Sequence, residues 1–289
     1  MSALTKLFAF AALALSTALA SAADQPLAVV AAENFYGDLV QQVGGPHVQV
    51  TSIMNNPDQD PHLFEASVST ARALSAARLV IYNGMDYDPW MTKLLTAARA
   101  QGRAEIVVGR LLGKRSGDNP HLWYDPATMP TVARAIAARL QAVDPAHSAD
   151  YRRNLDQVLA SLAVIGQHVQ SLRVRYAGTA VTATEPVFGL MAQALGLTMR
   201  NERFQLAVMN NTEPSASDIA AFERDLKSRQ VRVLFYNNQA SDPSAKRMRT
   251  LAQQSGVKVV GISETMPAGR HYQDWMRSQL DQLEKALNH

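Results

Sequence analysis

Two α/β lobes, each with a mainly parallel sheet flanked by helices and joined by one long rigid helix, are the fold class this sequence predicts. Three observations carry that prediction. Short apolar runs alternate with helix-spaced segments from residue 27 to 109, and the same alternation resumes at residue 179. Between the two blocks, 148–176 is one helical pattern without a proline. Alternation of this kind argues for parallel sheets covered by helices, and a chain of 289 residues has room for two of them.

In the first block, 27–32 reads as a strand that ends at Glu33-Asn34, and 35–43 as a helix stopped by Gly44-Gly45. Residues 47–54 alternate as a strand, 67–77 form a helix, 78–82 a buried strand, 88–100 a helix and 104–109 a strand. A helix over 129–143 is broken by Asp144-Pro145, and the pattern over 148–176 follows; at about 1.5 Å per residue it reaches about 40 Å. In the second block, 179–183 is a strand, 187–195 a helix, and 218–229 a helix begun by Pro214-Ser215. The buried strands 231–236 and 257–262 flank a helix over 244–255, and an amphipathic helix over 273–287 closes the chain. The expected division is an N-terminal lobe over 23–145, a linking helix over 146–177 and a C-terminal lobe over 178–289.

Residues 1–22 read as an address. Lys6 supplies the positive start, 7–20 carry no charge, and Ala20-Ser21-Ala22 gives the small-x-small pattern that signal peptidase reads. The apolar run is short for a membrane span and no later stretch is long and apolar enough to make one, so an exported protein of the periplasm is expected, without stable membrane insertion. The absence of cysteine excludes disulfides, thiolate metal sites, catalytic thiols and a lipid-modified N-terminal cysteine. With 47% hydrophobic and 18% charged residues the chain is globular, and its formal charge of +3, from interspersed residues, argues against nucleic acid as a partner. No Walker loop, GxGxxG, GxSxG or HExxH occurs, and Ser263-Glu264 has no evident base nearby. Trp90, Trp123 and Trp275 look scattered, and the methionines read as core filling.

Seven histidines are present. His47, His147, His168, His271 and His289 each stand alone in a turn, a helix or a terminus and read as surface or capping residues. His62 and His121 share a frame: Asp60-Pro61-His62-Leu63-Phe64 and Asn119-Pro120-His121-Leu122-Trp123. Proline fixes the backbone before each imidazole, and the aromatic ring two residues on can pack it against the lobe. Rigid loops presenting imidazoles suit a metal ion; the bland alternative is two proline turns that contain histidine. Because they lie in loops, replacing either imidazole is expected to open no core cavity. Glu185 and Glu264 each follow a strand directly, at the edge where ligands gather in parallel sheets. For either acid the alternative is a carboxylate favoured by a helix N-terminus. Imidazole with carboxylate suits Mn²⁺, Zn²⁺, Fe²⁺ or Co²⁺. Asp118, Asp125, Glu202 and Glu213 read as loop and cap residues.

With these motifs in this order, the chain resembles the TroA-like, ZnuA-like metal-binding proteins of ABC importers over essentially its whole length after the leader. The resemblance implies two lobes on a helical backbone, with one divalent transition metal ion, Zn²⁺ or Mn²⁺, carried between them as cargo. It also implies that His62 and His121 are the imidazole ligands of the first lobe. Glu185 falls where manganese-type members carry Glu and zinc-type members usually carry His, and Glu264 falls where members often place Asp. Residues 113–119 form a short loop without the His-rich acidic tract that many zinc-type members carry, which also leans towards manganese. The implied protein is a monomeric periplasmic receptor, not an enzyme, that delivers its ion to a membrane permease driven by a separate ATPase. Two alternatives stand beside it: an exported metal-dependent hydrolase, which would need an open coordination position and a base, and a receptor for an organic ligand on the same scaffold.

Overall fold

A computed structural model describes residues 25–56, 67–239 and 241–288. The apolar runs of the first block become four parallel strands, β1 (Leu27–Glu33), β2 (Val48–Met54), β3 (Leu79–Tyr82) and β4 (Ala104–Val107). Their order is β2-β1-β3-β4. The second block repeats the plan with β5 (Ala180–Ala183), β6 (Thr198–Arg200), β7 (Val233–Asn237) and β8 (Lys258–Ile262), in the order β6-β5-β7-β8. In each sheet the first strand of the block lies inside and the chain then crosses to the far side, which leaves a switch point where the strands run out.

The helices that cover these sheets start where local chemistry starts them. In α1 (Asn34–Gly44) the stop is Gly45, whose φ of 59° turns the chain into β2. Gly44 is equally constrained, because a Cβ there would lie 2.4 Å from the Val48 methyls. Ser67 caps α2 (Val68–Ala76) by accepting from the Thr70 N–H, and Pro89 opens α3 (Pro89–Ala97). The run predicted as a strand over 104–109 ends two residues earlier, since Val108 and Gly109 begin a single helical turn. Thereafter come α4 (Thr128–Val143) and the long α5 (Ser148–Tyr176). The 29 residues of α5 span about 43 Å and bury one stripe, Tyr151, Val158, Leu162, Ile165, Val169 and Leu172.

In the second lobe, 186–188 form a 3-10 turn that leads into α6 (Gly189–Ala194). The edge strand β6 and the helix α7 (Glu202–Met209) were not expected. At three and eight residues they are too short to show a period, and Glu202, expected in a loop or cap, sits in the first turn of α7. Ser215 caps α8 (Ala216–Lys227), Asp242 caps α9 (Pro243–Gln254), and α10 (Tyr272–Leu287) packs along α5.

One hydrophobic core runs through both blocks, taking Val29 and Ile81 from the first sheet and Val181 and Phe235 from the second. Its centre is aromatic. Phe35 stacks on Trp123 at 4.5 Å, Tyr124 meets Phe188 at 5.4 Å and Trp275 at 5.8 Å, and Phe188 stacks on Phe235 at 4.3 Å. Trp123 and Trp275, scattered in sequence, are therefore neighbours of one cluster. His47 and His147 do not stand alone either: their rings stack at 3.7 Å, with His47 on Asp150 and His147 on Asp144.

Candidate metal centre

Three of the four predicted ligands meet between the two sheets, and the fourth, His62, lies outside the described residues. His121 sits in the loop before the 3-10 turn Leu122–Tyr124, Glu185 follows β5, and Glu264 follows β8. All three side chains are buried. His121 Nε2 stands 3.4 Å from Glu264 Oε2. On the same side, Asn237 Nδ2 donates to Glu264 Oε1 at 2.8 Å and to Glu185 Oε2 at 3.3 Å, so one amide draws both carboxylates together.

The orientation of the imidazole is settled by Asn119. Its Oδ1 accepts from the His121 backbone N–H at 3.0 Å, and its Nδ2 donates to the Pro186 carbonyl at 2.8 Å, which fixes the amide's direction. His121 Nδ1, 2.7 Å from the same Oδ1, must then carry the proton. Nε2 is the ring nitrogen directed at the Glu264 carboxylate. A nitrogen and a carboxylate oxygen placed in this way can share a proton or a metal ion. Bonds of about 2.1 Å to a tetrahedral ion would hold two donors about 3.4 Å apart, the separation observed for this pair.

The surroundings are fixed as firmly. The His121 ring packs edge-on against Tyr87 and Trp123, with centroids at 5.9 and 5.4 Å. It is wholly buried, so the expectation that replacing it opens no cavity does not hold for His121: the loop that carries it is packed into the aromatic core. Burial, with the Glu264 carboxylate next in importance, pushes the Tyr87 hydroxyl well above its usual range and keeps it a hydrogen-bond donor. Gln239 Oε1 accepts from the N–H groups of Glu264 and Thr265 at 2.6 and 3.2 Å. Beside the two carboxylates lies a polar cavity of about 240 Å³, lined by Asn211, Asn237, Gln239 and Asp242 among others.

Several of these groups lay outside the sequence-based candidates. Asn237, Gln239 and Tyr87 were not among them, and Asn119 was noted only as part of its motif. Asn237 had a legible signal: it is a polar residue closing a wholly buried strand, as Glu185 and Glu264 nearly are. A buried acid pair, Glu33 and Asp88, was likewise not foreseen. Asp88 accepts from the N–H groups of Asn83 and Gly84, and Asn83 in turn donates to the Pro120 carbonyl at 2.9 Å. Burial first, and the neighbouring Asp88 second, push Glu33 well above the carboxylate range; burial raises Asp88 to about 6. Asp118 and Asp125 have the turn-capping roles expected, accepting from the N–H groups of Arg115 and Ala127.

Two parallel-sheet lobes on a helical backbone, with imidazole and carboxylates converging where the strands end, define a binding protein for a small charged ligand. The chain belongs to the ZnuA family, described as "Zinc-uptake complex component A periplasmic", which it matches over residues 29–286. It is thus a receptor and not an enzyme, and the hydrolase alternative falls away. Among its relatives, a "Putative metal-binding protein" of Treponema pallidum is 27% identical over 91% of this chain and 87% of that protein. The "Manganese-binding lipoprotein MntA" of Bacillus subtilis is 22% identical over 88% of this chain and 83% of that one. The fold is shared with the solved periplasmic zinc-binding protein TroA of Treponema pallidum, at a TM-score of 0.73 and 22% identity, covering 91% of this chain and 99% of that chain. A mutant form of a manganese-bound periplasmic metal-binding protein of Candidatus Liberibacter asiaticus gives 0.74 at 18% identity, over 91% of this chain and 100% of that chain.

Proposed function

We propose that this receptor captures one divalent transition metal ion, Zn²⁺ or Mn²⁺, with His62, His121, Glu185 and Glu264 as ligands, and delivers it to an ABC permease driven by a separate ATPase. The observation that carries the reading is His121 Nε2 standing 3.4 Å from Glu264 Oε2, with Glu185 tied to the same Asn237. Having His121, Glu185 and Glu264 close together before an ion arrives would lower the ordering cost of binding. The names of the relatives support both ions: one solved neighbour is named as zinc-binding and one curated relative as manganese-binding.

The receptor works as a monomer in the periplasm, exported by cleavage after Ala22. The sequence contains no cysteine, whereas the Bacillus relative is named a lipoprotein. Among the described residues no helix is long and apolar enough to cross a membrane.

Elemental analysis and titration of the purified chain test the ligand set. One Zn²⁺ per chain is expected, with His62→Ala and His121→Ala each weakening binding at least tenfold. Wild-type affinity in both variants would refute the assignment.

A further inference from the structure

Glu264 is held from the opposite lobe. The segment from Ser263 to Met266 follows β8, and Glu264, Thr265 and Met266 are all buried. Gln239, from the same lobe, takes the first two N–H groups after Ser263, as described above. The remaining two ties come from the first lobe. Tyr124 Oη donates to the Ser263 carbonyl at 2.7 Å. Asn34, the first residue of α1, pairs reciprocally with Met266: its Nδ2 donates to the Met266 carbonyl at 2.7 Å, and its Oδ1 accepts from the Met266 N–H at 3.1 Å. Glu264 is thereby bracketed on both sides by groups that belong to the other lobe.

A glutamate needs such bracketing more than an aspartate would. Its extra methylene adds a rotatable bond between backbone and carboxylate, and ligand atoms must be held within about 0.5 Å for tight coordination. We propose that Asn34 is a positioning residue for Glu264, acting together with Tyr124: the two fix the 263–266 backbone from the first lobe and so make the placement of this carboxylate depend on lobe apposition. The inference rests on the reading of Glu264 as a ligand. Neither Asn34 nor Tyr124 touches the ion; they act through the loop. Any parting of the lobes at this point withdraws the support of Glu264 in the same movement, which couples opening to metal release.

The test is the rate at which Zn²⁺ passes from the protein to an excess of chelator. Tyr124→Phe, which removes one interior hydrogen bond, is expected to speed Zn²⁺ loss about fivefold, and Asn34→Ala, which removes two, up to about thirtyfold. In a Glu264→Ala background the same changes should alter the rate less than twofold, because the group they position is gone. Tyr124→Phe keeps the buried ring and guards against misfolding, apo melting temperatures report it directly, and Glu264→Gln replaces the alanine variant if that does not fold. No effect of either substitution on the wild-type rate overturns the inference. So does an equal effect in both backgrounds, which is what a general loss of structure would produce. If Glu264→Ala alone leaves the rate unchanged, the ligand reading itself fails, and that outcome is distinct from the other two.

Discussion

Replacing Asn119 by alanine should weaken metal binding more than it weakens the fold. The side chain makes three hydrogen bonds: its oxygen serves the His121 backbone N–H and Nδ1, and its nitrogen serves the Pro186 carbonyl, one residue beyond Glu185. Without it, the wholly buried imidazole has an Nδ1–H lacking that partner, and an unsatisfied interior donor costs about 1–3 kcal/mol. The imidazole can relieve this by moving its proton to Nε2, which removes the lone pair that would meet the ion. Outer-sphere partners of ligating histidines are typically worth about 10–100-fold in metal affinity, or about 1.4–2.7 kcal/mol. A loss in that range is the expected result for Asn119→Ala. Asn119→Asp keeps both acceptor roles towards His121 and gives up only the bond to Pro186, so it should lose less. Competition titration with Zn²⁺ at pH 7.5, beside apo melting temperatures, checks both. Wild-type affinity in Asn119→Ala, with a lowered apo melting temperature, would show that ring packing on Tyr87 and Trp123 alone orients the ligand.

Zn²⁺ should bind more tightly than Mn²⁺, whichever is carried in the cell, because the Irving–Williams order favours it at almost any nitrogen and oxygen site; a direct competition titration that gives a clear Mn²⁺ preference would contradict this. The gain in melting temperature on adding Zn²⁺ should be large at pH 7.5 and small at pH 5, since protons compete for imidazoles whose reference pKa is about 6.5; equal gains at the two pH values would count against histidine ligation. For the apo protein the buried acid gives the opposite slope. Glu33 keeps its proton in the folded state at pH values where the unfolded chain, with its ordinary value of 4.5, has released it. Its contribution is therefore complete below that value and is lost as pH rises through the raised folded pKa. Glu33→Gln should accordingly raise the apo melting temperature at pH 8 and leave it little changed at pH 4.5, and a variant no more stable than wild type at pH 8 would argue for a charged, well-paired Glu33.

Much of this architecture is legible in the sequence because it rests on runs long enough to have a period. The 29 residues of α5 have the limits expected of them, since Asp144-Pro145 and Ala177-Gly178 close the pattern at both ends. The strands that precede Glu185 and Glu264 are equally plain, being mostly apolar and followed two residues on by an acid. What stayed hidden is whatever depends on contacts between distant segments. Asn34 and Met266 lie 232 residues apart, and nothing local to either suggests the other. Asn119 stood in full view beside its histidine, yet its link to Pro186 needs the two lobes assembled. Glu33 is hidden for a different reason. A carboxyl at a strand's end looks like the other candidate ligands, and only its complete burial beside Asp88 reveals a group that holds a proton instead.

The same long-range contacts bear on how an ion could leave. A rigid separation of the lobes has to part rings that now touch across the interface, among them Tyr124 from Phe188 and Phe35 from Trp275. Exposing each such ring costs about 1.5–3 kcal/mol, and the cluster is continuous with the core that also holds α5 and α10. The 263–266 segment is tied differently, by hydrogen bonds: one from Tyr124, two with Asn34 and three with Gln239, each with a net contribution of about 1 kcal/mol. Loss of the three bonds from Tyr124 and Asn34 would free this face of the segment without parting the ring contacts, at the added cost of disturbing Met266, which is buried in the same core. On the proposed ligand set, a small displacement at the first-lobe face of this segment would cost about as much as exposing one or two rings, and it would draw Glu264 from His121 through Asn34 and Tyr124, which do not touch the metal.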